Sequence, residues 1–416
     1  MAFIEIDDAT VAGLLKQERE RQARTLSLIA AENTAPGSVL EAMGSAFNNK
    51  TSEGYPGRRY HTGCQVLDEL ELLAIERAKA LFGAEHANVQ PHSGVNANLA
   101  VYGAMLKPGS TLLSMKLSHG GHLSHGAAAS LTGRIYQAVH YGVHPDTERL
   151  DYDQIRELAR LHRPAILVAG ASSYPRLIDY ATLRSIADEV SALLLVDMAH
   201  IAGLVAARVI PSPVPHADFV TFTTYKTLIG PHGGVILCKK ASASKIDRSI
   251  FPGTQGTSTP SLTAAKAVCF KLAAEPGFAR IQAQTLRNAR ALGEALTERG
   301  YRPVSGGTDT HMILIDLRTK GLKGNVAERA LEDVGLLVNR NLIPFDPESP
   351  QVTSGLRLGA SGLARRGMGE TETRHVADLM DQVLRASSDT TVKEEVGQRV
   401  LELCTRFPIP ETLPRV

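Results

Sequence analysis

Two hydrophobic periods alternate along the chain. Between Thr10 and Leu28 the apolar residues Val11, Leu14, Leu15, Leu26 and Leu28 recur at helical spacing with charges between them. This predicts a first helix, broken by "AENTAPGS". "VLDELELLAIERAKALFG" predicts a second helix that stops at Gly83. Short apolar strands then alternate with helical stretches: "TLLSM", "AILVAG", "ALLLVDMAH", "DFVTFTT" and "GGVILCK". Such alternation predicts an α/β fold with helices packed on a mainly parallel sheet. From Ala264 to Gly300 the pattern is long and helical, which reads as the connection to a second unit. "HMILIDL", "GLLVNRN" and "SGLRLGA" predict a small strand set there, followed by helices from Glu370 onward. The expected division is an N-terminal helical arm over residues 1–50, a large domain over 51–275 and a smaller α+β domain over 276–416.

Length and composition narrow the class. A chain of 416 residues suffices for a large core and a second domain. With 43% hydrophobic and 21% charged residues the balance is that of a soluble globular protein. A net charge of +2 with no Lys/Arg cluster interleaved with aromatics gives no reason to expect nucleic acid as a partner. No run of apolar residues is long enough for a membrane span, and the polar, acidic start does not read as a signal peptide. Cys64, Cys238, Cys269 and Cys404 are widely separated, which fits a reducing, cytoplasmic setting better than a disulfide framework or a metal site.

Candidate chemistry sits at strand ends. In "TFTTYKTLIGPHGG" Lys226 follows a β-branched run and precedes a Gly-Pro turn, a place where functional groups concentrate, although a lone lysine also fits a surface side chain reaching water. Asp197 ends the apolar strand "LLLVD", where α/β proteins place ligand-facing groups; a helix cap is the alternative. An aspartate followed about thirty residues on by a lysine suits a pyridoxal phosphate enzyme, in which the lysine forms a Schiff base and the aspartate keeps the pyridine nitrogen protonated. Ser93 and Gly94 open a helical stretch whose first amides suit a phosphate, or serve as an ordinary cap. "LSHGGHLSHG" carries His119, His122 and His125 at a spacing that suggests metal. Its glycines favour a loop, and no carboxylate lies nearby in sequence, so no metal is expected and His122 is taken to stack on a cofactor ring.

Together these segments resemble serine hydroxymethyltransferase, a fold-type I pyridoxal phosphate family. The likeness rests on "EGYPGRRYHTGC", "ANVQPHSGVNANLAVY", "HGGHLSHG", "VDMAHIAGLVAA", "TTYKTLIGP", "FPGTQG", "VSGGTDTHMILIDL" and "VTSGLRLG", which occur in order over nearly the whole chain. It implies a seven-stranded central sheet, pyridoxal 5'-phosphate as cofactor, tetrahydrofolate as co-substrate, and a homodimer with shared active sites. By position it implies that Lys226 carries the cofactor, Asp197 pairs with the ring nitrogen, His122 stacks on the ring, and His200 and Ser172 hold the phenolic oxygen. Ser93, Gly94, Tyr225 and Gly256 fall on the cofactor's phosphate side. Arg357 grips the amino-acid carboxylate, Glu53 is the acid–base group near the hydroxymethyl, Tyr60 joins the substrate side, and Leu117, Gly121, Leu123 and Asn341 lie near folate.

The departures from that pattern cluster. Ala31, Thr51, His61, Val95, Tyr225, His232 and Thr257 replace the family's usual residues; Ala31 falls near the substrate carboxylate, and at least four of the positions fall on the cofactor's phosphate side or the partner-subunit contact. They leave three readings: a hydroxymethyltransferase converting serine and glycine, a folate-independent aldolase or α-methylserine enzyme on the same scaffold, and a non-catalytic relative that binds a ligand. Phe345, with Thr51 and His61, belongs to the second reading.

Overall fold

The computed structural model describes residues 2–414; the outermost ends of the first and last expected segments lie outside them. Seven strands form the main sheet: β1 His86–Asn88, β2 Thr111–Met115, β3 Gln137–Tyr141, β4 Ile166–Gly170, β5 Leu193–Asp197, β6 Phe219–Thr223 and β7 Gly234–Cys238. Their spatial order is β1-β7-β6-β5-β4-β2-β3. Neighbours from β6 to β3 pair in parallel, whereas β7 is antiparallel to both β6 and β1. The sheet is therefore mainly parallel, as expected.

The apolar runs of β2, β4, β5, β6 and β7 follow from burial on both faces, whereas the edge strands β1 and β3 are not such runs and were not expected from the sequence. Leu194 and Val196 enter one hydrophobic cluster while Leu195 between them enters another on the opposite face. The same split separates Val220 and Phe222 from Phe219. Gly83 ends the helix Gln65–Phe82 in a left-handed conformation at φ 70°, which glycine adopts without a Cβ clash.

A second core sits on a four-stranded sheet of β8 Arg302–Pro303, β9 Met312–Asp316, β10 Asn339–Asn341 and β11 Gly355–Gly359, ordered β8-β9-β11-β10. The long helical run expected between the two cores is two helices, Pro260–Ala273 and Pro276–Glu298, because Pro276 lacks the N–H needed to continue the first. The second of these touches both cores, giving Phe278 and Ile281 to one and Leu292 and Leu296 to the other.

Two further expectations are corrected. The first helix ends at Arg24, not at Leu28, since Thr25 is extended and Leu26–Ser27 pairs in parallel with Leu336–Leu337. Leu26 and Leu28 belong to the second core, so burial in a sheet overrode their helical spacing. That pairing also splits "GLLVNRN" into two short strands, Leu336–Leu337 and Asn339–Asn341.

Candidate active site

Four parallel strands deliver the site at their carboxyl ends, where open α/β sheets bind ligands. β2 ends at Met115 and leads to the histidine loop; β4 ends at Gly170 and leads to Ser172; β5 ends on Asp197; β6 ends at Thr223 just before Lys226. Gly170 must be glycine: its φ is 115°, and a Cβ there would run into the carbonyl of Asp197 on the next strand. The antiparallel start of β7 supplies His232 and Gly233 as a wall.

These ends enclose a cavity of about 150 Å³ lined by Ser93, Gly94, His122, Ser172, Asp197, His200, Tyr225 and Lys226 among others. These eight, with Val95, His125 and His232, bring eleven of the residues singled out in the sequence to one place. Asp197 is the one carboxylate on the lining.

Three hydrogen bonds hold Asp197. Asn98 Nδ2 donates at 2.8 Å and His125 Nε2 lies 3.0 Å away, both on Oδ2, while the Ala199 amide donates to Oδ1 at 3.0 Å. Burial alone raises a carboxyl's pKa. Here the hydrogen bond and field of His125, with His122 and Asn98, outweigh it and hold Asp197 below the ordinary carboxylate range. Asn98 is fixed in turn by Thr221 Oγ1, which donates to its Oδ1 at 2.6 Å.

Lys226 is 7% exposed, and burial pushes its amine down to about 8, with Asp197 opposing and Arg357 assisting. Burial also lowers His122 to about 4, and the fully buried His200 falls well below its ordinary value. His122 Nδ1 accepts from the Ser124 amide at 3.2 Å, which leaves Nε2 as its protonated nitrogen when neutral. His200 Nδ1 has no hydrogen-bond partner although it is buried. A buried polar atom without a partner points to a ligand group. His200 stacks on His311 at 5.6 Å between ring centroids, and His311 Nε2 lies 3.1 Å from the Ala30 carbonyl.

Arg357 projects from β11 and joins the second sheet to this site. Its Nη1 donates to the Ser172 carbonyl at 2.6 Å and its Nε to Asn339 Oδ1 at 3.2 Å. Its partners are neutral, and burial lowers its pKa to about 10. A desolvated guanidinium bound only to neutral groups is a receptor for a carboxylate.

The remaining expected site residues lie elsewhere. Gly256 packs beside Glu53: a Cβ there would lie 3.6 Å from Glu53 Oε1. Tyr60 is exposed and meets Phe251 edge-on at 5.4 Å. None of the three lines the cavity of its own chain. Thr257, one of the departures from the family pattern, accepts from the Ser52 amide at 2.7 Å. Leu117 and Leu123 are exposed on the histidine loop, Gly121 is buried under it, and Asn341 donates to its own neighbour's carbonyl. Val95, by contrast, lines the cavity on the first turn after Ser93, 44% exposed, but its side chain carries no donor.

The histidine loop has a carboxylate beside it after all. Asp197, distant in sequence, comes within 4.8 Å of ligand atoms on His122 and His125. Those atoms are engaged with one another and with Asn98 and Ser124, so the trio works as a hydrogen-bonded support. The sequence had no means to select Asn98, Asn339 or His311, which act through partners on other elements. His125 was in view within its loop but without its partner.

A buried amine, a carboxylate held in its ionised form, a helix start capped by Ser93 and an unpaired imidazole line one cavity, and this donor set fits the pyridoxal phosphate of fold-type I enzymes. A family model for serine hydroxymethyltransferase matches residues 4–380 of the 416. The chain belongs to the serine hydroxymethyltransferase family, whose members are pyridoxal-phosphate-dependent transferases of one-carbon metabolism.

Proposed function

We propose that the chain is a serine (glycine) hydroxymethyltransferase that interconverts serine and glycine, with tetrahydrofolate carrying the one-carbon unit. The observation that supports it most is the meeting of Lys226, Asp197 and the Ser93–Gly94 helix start in one cavity, with the Arg357 guanidinium reaching Ser172 at its edge. Bound there, pyridoxal phosphate supplies an aldehyde for the amino group and an electron sink for the bond broken at Cα.

The chain's own residues do the rest. Asp197, held ionised, keeps a proton on the ring nitrogen. Lys226, its amine lowered to about 8, gives and takes protons near neutrality. His122 covers the ring, His200 and Ser172 take the phenolic-oxygen side, and Tyr225 lies on the phosphate side. Arg357 binds the substrate carboxylate as a planar fork. Glu53, with Tyr60, moves the proton of the hydroxymethyl oxygen. Leu117, Gly121, Leu123 and Asn341 form the folate side.

In this reading the protein works as a homodimer in the cytoplasm. Glu53, Tyr60 and Gly256 are grouped outside the cavity of their own chain, so they serve the site of a partner subunit. The helix Ala9–Arg24 has no buried residue and exposes Leu14 at 58%, and Val66 is 68% exposed, which leaves apolar surface for such a partner. Among the described residues no helix is long and apolar enough to cross a membrane.

The test is an absorbance scan of the purified protein, then turnover of serine with and without tetrahydrofolate. Serine consumption that depends on tetrahydrofolate supports the reading; a protein that takes up no pyridoxal phosphate contradicts it. One observation favours a second reading, a folate-independent aldolase or α-methylserine enzyme. Phe345, half-exposed, packs on His119 at 4.6 Å between centroids, beside the loop that carries Leu117. Turnover that is unchanged without tetrahydrofolate and needs an aldehyde acceptor selects this alternative.

A further inference from the structure

Lys266 is a buried cation that the chemistry above does not use. It lies on the helix Pro260–Ala273 and is 2% exposed. Its Nζ donates to three backbone carbonyls, Val89 at 2.6 Å, Gly234 at 2.9 Å and Pro91 at 3.1 Å. Three acceptors call for three N–H donors, which an ammonium has and a neutral amine lacks. Burial lowers its pKa to about 7, with Glu71 and then Cys269 acting against that shift, so it is the three carbonyl acceptors that favour the charged form near neutrality.

The three carbonyls belong to the two segments that border one end of the cavity. Val89 and Pro91 lead directly into His92, Ser93 and Gly94, and Gly234 follows His232 and Gly233. The segments also touch directly, since the Gly234 amide donates to the Pro91 carbonyl at 3.0 Å. The stem of Lys266 lies directly under the cavity wall: a Cβ on Gly233 would collide with its Cε. The first amides of the helix Gly94–Met105 lack acceptors within the helix, so their aim depends on the segment that Lys266 anchors.

We propose that Lys266 is a positioning residue for the anion end of the cofactor pocket, clamping the Val89–Pro91 and Gly234 carbonyls so that the Ser93–Gly94 helix start faces the His232–Gly233 wall at the spacing a phosphate needs. A charge in this desolvated place is weakly screened and adds to the positive end of the helix. The proposal rests on the reading that pyridoxal phosphate binds here with its phosphate at Ser93–Gly94.

The test uses the full-length apoprotein, titrated by absorbance with pyridoxal phosphate and, separately, with pyridoxal, which lacks the phosphate. Lys266→Met is expected to keep its circular dichroism and to bind pyridoxal phosphate at least tenfold more weakly, with pyridoxal affinity changed less than twofold. Equal weakening of both ligands reveals only a general structural role and overturns the proposal, as does unchanged affinity for pyridoxal phosphate. If Lys266→Met does not fold, Lys266→Arg takes its place. That variant keeps the charge but directs its donors as a planar fork, and a loss above threefold confined to the phosphorylated ligand is expected. If the unaltered protein binds no pyridoxal phosphate, the functional reading fails, and the clamp proposal falls with it.

Discussion

His125 Nε2 lies 3.0 Å from Asp197 Oδ2, across 72 positions of sequence. The buried carboxylate therefore stays ionised although burial opposes it. His125→Leu removes this charge-assisted bond and leaves Asn98 and the Ala199 amide in place. Its loss is worth roughly 1.5–3 kcal/mol, or one to two pK units. The expected result is that cofactor retention fails at a pH higher by about a unit on the acid side, read by absorbance during dialysis at a series of pH values. An unmoved acid limb means that Asn98 and the backbone suffice.

Asp197→Asn keeps the shape of the site and removes its charge. A neutral pyridine is a weaker electron sink. Turnover of serine is expected to fall by more than about tenfold while the cofactor stays bound. A smaller loss places the ring nitrogen elsewhere.

Arg357→Lys keeps a positive charge but loses the fork. With Asn339 and Ser172 fixing the guanidinium plane, a lysine ammonium cannot meet a carboxylate with two parallel bonds. KM for serine is expected to rise by about tenfold or more, equivalent to about 1.4 kcal/mol. An unchanged KM puts the carboxylate site elsewhere.

His311 gives a pH dependence of stability with a definite sign. Burial lowers its folded pKa to about 3, against about 6.5 in the unfolded chain. Its neutral form therefore contributes stability that is fully present above pH 6.5 and is lost as the pH falls towards the folded value. Between pH 7 and 5 the loss is about 2 kcal/mol from this residue. Denaturant melts at the two pH values should show it on top of the same-signed shares of His122 and His200, and His311→Gln should reduce the difference by about 2 kcal/mol. An equal slope in the variant means that His122 and His200 carry the effect.

Five of the seven strands of the main sheet were legible because they are buried on both faces and so read as apolar runs; the edge strands His86–Asn88 and Gln137–Tyr141 are short or partly exposed and carry no such run. Asp197 and Lys226 were legible for the same reason: one run stops at Asp197 and another just before Lys226. Leu26 and Leu28 misled because helical spacing says nothing about a partner at Leu336–Leu337, far along the chain. Asn98, Asn339 and Lys266 were illegible for a related reason. Each acts through groups on other elements, and local periodicity carries no trace of a hydrogen bond to a distant carbonyl or carboxylate. Glu53, Tyr60 and Gly256 were found by motif, yet the single chain keeps them outside its own cavity.

Lys226 carries the central claim, and Lys226→Ala tests it most directly. The measurement pairs an absorbance scan after addition of pyridoxal phosphate with the rate of serine-to-glycine conversion in the presence of tetrahydrofolate. The unaltered protein is predicted to develop the visible band of protein-bound cofactor and to turn serine over, and the variant to lose both the band and the turnover. A variant that turns serine over at the rate of the unaltered protein contradicts the account.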